Sequence, residues 1–262
     1  MNLERLTHQV AQLCRQAGDF IETQRPRLSQ IQIEEKSHHN LVSYVDREAE
    51  AMLMEGFLKL IPGSGFLAEE SGSQSGQDFV WIIDPLDGTT NYIHGVPVYS
   101  VSVALQQNKE TILGVVLDIP RNEMFASWKG GGALLNGTPV RVSRTSKLDQ
   151  SLLATGFPYH DFSRMPQYLQ LFELLMHKSR GVRRLGSAAL DLAWVACGRF
   201  DAFYEYSLHP WDIAAGAFIV EQAGGKVSTF NGSSEYVYGA DIVAGSPEVY
   251  AELMEYVRQC FG

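Results

Sequence analysis

The sequence predicts a layered α/β (α+β) protein, and three patterns carry that expectation. Apolar residues recur at helical spacing over residues 3–22 and again over about 43–60. Residues 96–142 alternate apolar and polar side chains with the two-residue period of strands. After residue 150, short apolar runs alternate with helical stretches, as they do where helices cover a sheet.

In chain order, the first helix turns Leu3, Leu6, Val10, Leu13, Ala17 and Ile21 inward, and Pro26 stops it. Ile31-Gln32-Ile33 reads as a short strand and the polar run Lys36–Asn40 as a loop. A second helix from Ser43 to Leu60 turns Val45, Ala49, Leu53, Phe57 and Leu60 inward. Asp46 falls near its start, where an acid ordinarily complements the helix dipole at the surface. A turn over Ile61–Gly65 leads into Phe66-Leu67-Ala68, which ends at Glu69-Glu70, and Ser71–Gly76 reads as an exposed loop.

Phe79–Ile83 has the length and branching of a buried strand, expected to stop at Asp84 because Pro85 removes a backbone donor and fixes φ. The full stretch is FVWIIDPLDGTTNY. Two carboxylates on one turn, Asp84 and Asp87, repel each other, and a divalent cation removes the conflict. Hard oxygen ligands of this kind suit Mg²⁺. If Gly88 and Thr89 begin a helix, their N–H groups face an anion. Asp and Gly are also ordinary turn residues, so acids elsewhere must decide. Glu69, which ends the preceding apolar segment, is the first of these.

Val101, Val103 and Leu105 alternate with smaller or polar residues, and strands follow over Thr111–Ile119 and Glu123–Trp128. Asn136-Gly137 marks a hairpin. Gly130–Gly132 lacks the Lys-Ser/Thr of a phosphate loop and reads as a bend. Further on, strands are expected over Ser151–Thr155, Val182–Leu185, Phe200–Tyr206, Lys226–Thr229 and Asp241–Ala244. Helices are expected over Pro166–Lys178, with Leu169, Phe172 and Leu175 or Met176 inward, and over Ser187–Cys197, Trp211–Ala223 and Pro247–Cys260. Asp212 sits at a helix start and is followed by Ala214, Ala215 and Gly216, which permit close packing. Glu205 ends an aromatic-rich strand. His38 and His39 read as a solvent-facing pair, His94 and His209 as packing residues, Trp81 and Trp211 as core, and Lys36 as exposed or anion-steering.

Composition narrows the class. The chain has 262 residues, 45% of them hydrophobic and 19% charged, enough to bury a large core in one unit or two packed halves. With 21 basic against 30 acidic residues the net charge is -9, and no basic block favours a nucleic-acid partner. Cys14, Cys197 and Cys260 form no CxxC, which fits a reducing compartment without disulfides or a thiolate zinc site. MNLERLTHQVAQLCRQ has no signal-peptide core, and no apolar run reaches spanning length, so a cytoplasmic protein without a membrane partner is expected.

The segments LAEES, WIIDPLDGTTN and WDIAAGAFIVEQAGG, in this order, resemble the inositol monophosphatase family of Mg²⁺-dependent, lithium-sensitive phosphatases. KSHHNLVSYVD, GVPVYSVSVAL, NGTPVRVS and LGSAALDLAWVACGRFDAFYE extend the resemblance over nearly the whole chain. Asn40 is one departure, where relatives often carry an acid. The resemblance implies a five-layered α/β/α/β/α sandwich like that of inositol monophosphatase and fructose-1,6-bisphosphatase. An N-terminal half, 1–145, would carry most metal ligands, and a C-terminal half, 146–262, would complete the site.

Residue by residue, the resemblance implies a first Mg²⁺ on Glu69, Asp84 and the Leu86 carbonyl, and a second on Asp84, Asp87 and Asp212. A looser third would involve Glu69 and, through water, Asp46, giving two to three ions. Phosphate would lie against Gly88 and Thr89. Water polarised by Glu69 and Thr89 would attack phosphorus in line. Glu205 would accept hydrogen bonds from substrate hydroxyls, with Gly186, Ser187, Ala188 and Asp212 lining the same pocket. The implied activity is hydrolysis of myo-inositol monophosphate, by a homodimer. Sister readings are a phosphatase for a sugar bisphosphate, histidinol phosphate or a 3′-phosphoadenylate, or a regulatory or RNA-associated binding protein on the same scaffold.

Overall fold

The computed structural model describes residues 1–26, 33–37, 40–76 and 78–262. Helices α1 (Leu3–Gln24) and α2 (Tyr44–Leu60) pack against each other and against one face of an eight-stranded sheet. Asn2 starts α1 by accepting the Arg5 N–H at 2.9 Å. The apolar stripes read from the sequence face inward, Leu6, Val10, Ala17 and Ile21 from α1 and Val45, Ala49, Leu53 and Phe57 from α2. Phe57 stacks on Trp81 with ring centroids 4.4 Å apart. The Trp81 indole donates to Ser64 Oγ at 3.1 Å, so this large residue is buried without losing a hydrogen bond.

Between the two helices a hairpin pairs β1 (Ile33–Ser37) with β2 (Asn40–Ser43). The polar run expected as a loop thus includes strand at Lys36, Ser37 and Asn40. The His38-His39 pair, and Ile31-Gln32 of the expected strand, lie outside the described residues.

The large sheet comprises β3 (Gly65–Ala68), β4 (Gly72–Gln74), β5 (Phe79–Asp87), β6 (Ser100–Gln107), β7 (Glu110–Asp118), β8 (Glu123–Trp128), β9 (Gly132–Leu135) and β10 (Thr138–Val140). Their order is β10-β9-β8-β7-β6-β5-β3-β4, antiparallel except for the parallel pair β3 and β5. Two expectations are corrected here. The Ser/Gly-rich loop contains β4, because pairing onto the edge of β3 needs backbone groups only. The apolar strand does not stop at Asp84 but runs on to Asp87. Asp84 pairs with Ser102 and Asp87 with Ser100, three steps against two, and that bulge accommodates Pro85.

A second sheet orders β12 (Gly181–Arg183), β11 (Leu152–Thr155), β13 (Ala202–Tyr206), β15 (Asp241–Gly245) and β14 (Lys226–Ser228), with β11 parallel to both neighbours and the remaining pairs antiparallel. Helices α5 (Ala188–Ala196) and α6 (Pro210–Gln222) lie between the two sheets, and α4 (Met165–Lys178) and α7 (Pro247–Phe261) cover the outer face of the second. The result is five layers, helix-sheet-helix-sheet-helix. A short helix α3 (Thr89–Ile93) follows β5.

The layer spacing depends on small residues. A Cβ on Gly114 of β7 would stand 2.8 Å from the Ala215 carbonyl oxygen, and one on Gly216 would stand 2.6 Å from Leu192 Cβ. Helix α6 therefore sits closer to both neighbours than a side-chain-bearing residue would permit. The expectation that Ala214, Ala215 and Gly216 serve close packing is met. On α4 the inward face differs from expectation: Tyr168, Leu171 and Leu175 are buried, whereas Leu169 and Met176 are exposed. Tyr168 wins the inward position because its hydroxyl has buried partners, Thr155 Oγ1 at 2.7 Å and the Gly156 carbonyl at 2.6 Å.

Phe57→Ala should destabilise the fold by about 3–5 kcal/mol through the cavity left beside Trp81. Urea unfolding followed by tryptophan fluorescence measures it, and a loss under about 1 kcal/mol would mean the first helical layer is not packed as described.

Candidate active site

Parallel pairing of β3 and β5 puts their C-terminal ends side by side, with Ala68 opposite Ile83. The residues one step further, Glu69 and Asp84, therefore emerge together, and the Glu69 N–H donates to the Ile83 carbonyl at 3.3 Å. The bulge then turns Asp87 and Gly88 back beneath them. Gly88 has φ of +93°, and a Cβ there would lie 2.9 Å from the Val98 carbonyl oxygen, so the turn requires glycine. From further along the chain, α6 delivers Asp212, β13 delivers Glu205, and the turn into α5 with its first residue delivers Gly186, Ser187 and Ala188.

These groups line one cavity. Glu69, Asp84, Leu86, Asp87, Gly88 and Thr89 form the wall from the N-terminal side. Gly186, Ser187, Ala188, Glu205 and Asp212 form the wall from the C-terminal side. Asp46 lies behind the lining. It is 1% exposed, and its Oδ1 accepts the Thr89 hydroxyl at 3.0 Å. Asp46 is thus buried, unlike the usual acid near a helix start. Glu205 is also buried.

Protein donors already hold one oxygen on three of the acids. Asp84 Oδ1 accepts the Leu86 N–H at 2.9 Å. Asp87 Oδ2 accepts the Ser187 hydroxyl at 2.6 Å and the Ala189 N–H at 2.8 Å. Asp212 Oδ2 accepts the His209 N–H at 2.7 Å, which also closes the start of α6. The Thr89 hydroxyl lies 3.0 Å from the Leu86 carbonyl oxygen as well.

Gathering these acids has an electrostatic cost. Desolvation, followed by repulsion from Glu69, Asp87 and Asp212, pushes the Asp84 carboxyl well above the usual range. Asp212 is raised by burial and then by Asp87 and Glu69. Burial raises Asp87 to about 6 against the hydrogen bonds it accepts. As placed, no three His, Cys, Asp or Glu side chains among the described residues enclose an ion position. The donor set still suits a hard divalent cation, with mutually repelling carboxylates at one cavity wall and a backbone carbonyl between them. An ion there would remove the repulsion that now opposes ionisation.

Among the cavity residues that sequence reasoning missed, Asn91, Arg184 and Asp191 bear most on its chemistry. Asn91 Nδ2 donates to the carbonyls of Val98 and Leu185, both at 2.8 Å, and so ties the Gly88 turn to the opposite wall. Arg184 lies over the rings of Phe157 and Tyr159, at 5.4 and 5.6 Å from their centroids. Asp191 is 1% exposed, and its Oδ1 has no hydrogen-bond partner. Burial and then Glu205 raise its carboxyl well above normal. The signal for Asp191 was available as a single acid inside the apolar helix AALDLAWVA. Trp211, expected in the core, is half-buried, lines the cavity and stacks on His209 at 4.6 Å. His94 is exposed and outside the lining.

Comparison with known proteins places this arrangement. Residues 2–261 match the profile of the Inositol monophosphatase family. The chain is 43% identical over 250 residues to "Nus factor SuhB" of Pseudomonas aeruginosa, covering 93% of this chain and 92% of that protein. Among solved structures, the extragenic suppressor protein suhB of Bartonella henselae superposes with a TM-score of 0.94 at 34% identity, over 97% of this chain and 99% of the other. Inositol monophosphatase of Anabaena (Nostoc) does so with a TM-score of 0.88 at 36% identity, over 99% of this chain and 98% of the other.

The raised carboxyls fix the sign of a pH effect. Asp84, Asp87 and Asp212 hold protons in the folded chain at pH values where the unfolded chain has released them. Their contribution to stability is complete below about pH 4 and is lost as pH rises through the folded values. Chelator-treated protein should therefore lose more stability between about pH 5 and 7 than the Asp84→Asn variant does. Added Mg²⁺ should raise the melting midpoint more at pH 7 than at pH 5. Thermal melts across that range measure both effects. A wild-type slope no steeper than that of the variant would remove the account of strained, buried acids.

Proposed function

This chain belongs to the inositol monophosphatase family, and from that premise we propose that it is a Mg²⁺-dependent phosphomonoesterase converting myo-inositol monophosphate to inositol and phosphate. One observation carries the reading: Glu69, Asp84, Asp87 and Thr89 from one half share a cavity with Asp212 and Glu205 from the other.

Glu69, Asp84, Asp87, Asp212 and the Leu86 carbonyl would hold Mg²⁺. When bound, Mg²⁺ supplies charge neutralisation for the ester, acidification of the attacking water and stabilisation of the leaving oxygen. The chain supplies the rest. The N–H groups of Gly88 and Thr89 donate to phosphate oxygens. Since α3 has only 5 residues, these are individual amide donors rather than the end of a long helix dipole. Thr89 Oγ1 donates to Asp46 Oδ1, which leaves a lone pair on Oγ1 to take up a proton from water as Asp46 receives the hydroxyl proton. Glu69 orients the same water. Glu205 accepts from hydroxyls of the leaving group. A Cβ on Gly156 would stand 2.0 Å from Glu205 Oε2, so the missing side chain gives that carboxylate its place.

A second reading comes from the relatives named Nus factors, at 41 to 43% identity, which favour a regulatory binding role on this scaffold. The two readings separate in a phosphate-release assay with Mg²⁺. The substrates are inositol 1-phosphate, fructose 1,6-bisphosphate, histidinol phosphate, 3′-phosphoadenosine 5′-phosphate and p-nitrophenyl phosphate. Inositol 1-phosphate should give the highest kcat/KM, and no release from any ester would leave the binding role alone.

Asp84→Asn should fold yet lose about 10³-fold or more in kcat, several kcal/mol of barrier. Near-normal turnover would remove Asp84 from the metal set. Glu205→Gln should raise KM for inositol 1-phosphate about tenfold and leave that for p-nitrophenyl phosphate within about twofold, a difference of roughly 1 kcal/mol between the two esters. Equal changes for both would take Glu205 out of substrate recognition.

A further inference from the structure

Glu50 is a charged residue on α2 that is only 2% exposed, and none of the chemistry above uses it. Its two carboxylate oxygens accept two consecutive backbone N–H groups, Oε2 from Glu70 and Oε1 from Ser71, each at 2.9 Å. Those amides belong to the turn that leaves β3 immediately after Glu69. On the near side of the same turn, the Glu69 N–H is tied to the Ile83 carbonyl of β5. Three successive amides, at positions 69, 70 and 71, thus have fixed acceptors, two of them on one side chain.

A carboxylate bridging two adjacent amides fixes the orientation of the peptide plane between them, which a single hydrogen bond would not. Asp46 stands four residues before Glu50, one helical turn away on the same side of α2. One helix face therefore reaches the two separate turns of the cavity wall, the Glu69 turn through Glu50 and the Thr89 turn through Asp46.

We propose that Glu50 is a positioning residue that presents Glu69 to the cation by clamping the Glu70 and Ser71 amides. The inference rests on the phosphatase reading for the role of Glu69, whereas the clamp itself rests on hydrogen bonds within the fold. A merely structural tie predicts that replacing Glu50 lowers stability and leaves Mg²⁺ affinity alone. A positioning role predicts weaker Mg²⁺ binding even where the fold survives.

The test compares full-length wild type, Glu50→Gln and Leu53→Ala. Leu53 is a buried apolar residue on the same helix, outside the site, and its variant controls for lost stability. Two readouts are taken, the Mg²⁺ concentration giving half-maximal phosphate release and the Mg²⁺ concentration giving half of the maximal thermal shift. Glutamine keeps one acceptor and turns an NH₂ group toward the second amide. Glu50→Gln should therefore raise both Mg²⁺ midpoints about tenfold, with KM for the ester at saturating Mg²⁺ unchanged within about twofold. Leu53→Ala should lower the melting temperature and leave both midpoints where they are.

Wild-type midpoints in Glu50→Gln would overturn the proposal, as would an equal shift in Leu53→Ala. If wild type shows a Mg²⁺ thermal shift but releases no phosphate, the phosphatase reading fails. The thermal midpoint of Glu50→Gln then decides the clamp by itself. A wild type with neither response overturns both.

Discussion

The contact on which the rest of the molecule depends is the Asp87 carboxylate received by donors 100 and 102 residues further along the chain, the Ser187 hydroxyl and the Ala189 N–H. Asp87 ends a strand of the first sheet, and Ser187 starts a helix of the layer between the sheets. Asn91 repeats the link from the same turn by donating to the Leu185 carbonyl. Asp87 and Ser187 are buried, and removing either would leave the other without its partner, at a cost of about 1–3 kcal/mol. The seam between the first sheet and the inner helical layer is therefore closed by the residues that form the cavity, so seam and cavity are one structure.

Layering explains how that seam can be built. Helices α5 and α6 are buried on nearly all sides because a sheet lies on each face of the layer they form. Gly114 and Gly216 bring α6 within backbone contact of β7 and side-chain contact of α5. That close approach brings the first turn of α6, which carries Asp212, to the ends of β3 and β5. A bulkier seam would move Asp212 away from Asp84 and Asp87 and relieve the repulsion that adds to burial in raising the Asp84 and Asp212 carboxyls. The strain of buried like charges is thus a consequence of good packing elsewhere, as expected where function opposes stability.

Most of this was legible before the coordinates, for identifiable reasons. Helix and strand periods located the elements, because each element buries one face against a neighbour layer. Acids at the ends of apolar segments marked Glu69 and Asp84, since a carboxylate there has no apolar reason to be present. What could not be read were choices made by tertiary partners. Tyr168 displaced Leu169 from the core because Thr155 and Gly156 offered its hydroxyl acceptors. Strand β5 passed through Pro85 because the opposing strand β6 allowed a bulge. Glu50 looks like a surface acid near a helix start, and only the Glu70-Ser71 turn, brought over it by the fold, reveals otherwise.

The charge balance of the cavity constrains what can enter it. Among the described residues its lining carries six acidic side chains, Glu69, Asp84, Asp87, Asp191, Glu205 and Asp212, against the single guanidinium of Arg184, and burial holds five of them, all but Glu69, toward the protonated form. His209 adds little positive charge, because burial lowers its tendency to hold a proton. A phosphate ester brings up to two negative charges into this setting, and repulsion from the acids exceeds what one arginine returns. Binding of ester and divalent cation must therefore be coupled, each raising the affinity of the other by the same factor. The acids do not act alike, however. Glu69, Asp84, Asp87 and Asp212 surround the Gly88 turn, whereas Glu205 and Asp191 stand where Arg184 opposes their charge. Beyond the phosphate, the cavity offers the carboxyl groups of Glu205 and Asp191 as acceptors. A leaving group rich in hydroxyls satisfies those acceptors, and a second phosphate on the leaving group would meet two further acids with only Arg184 to offset them.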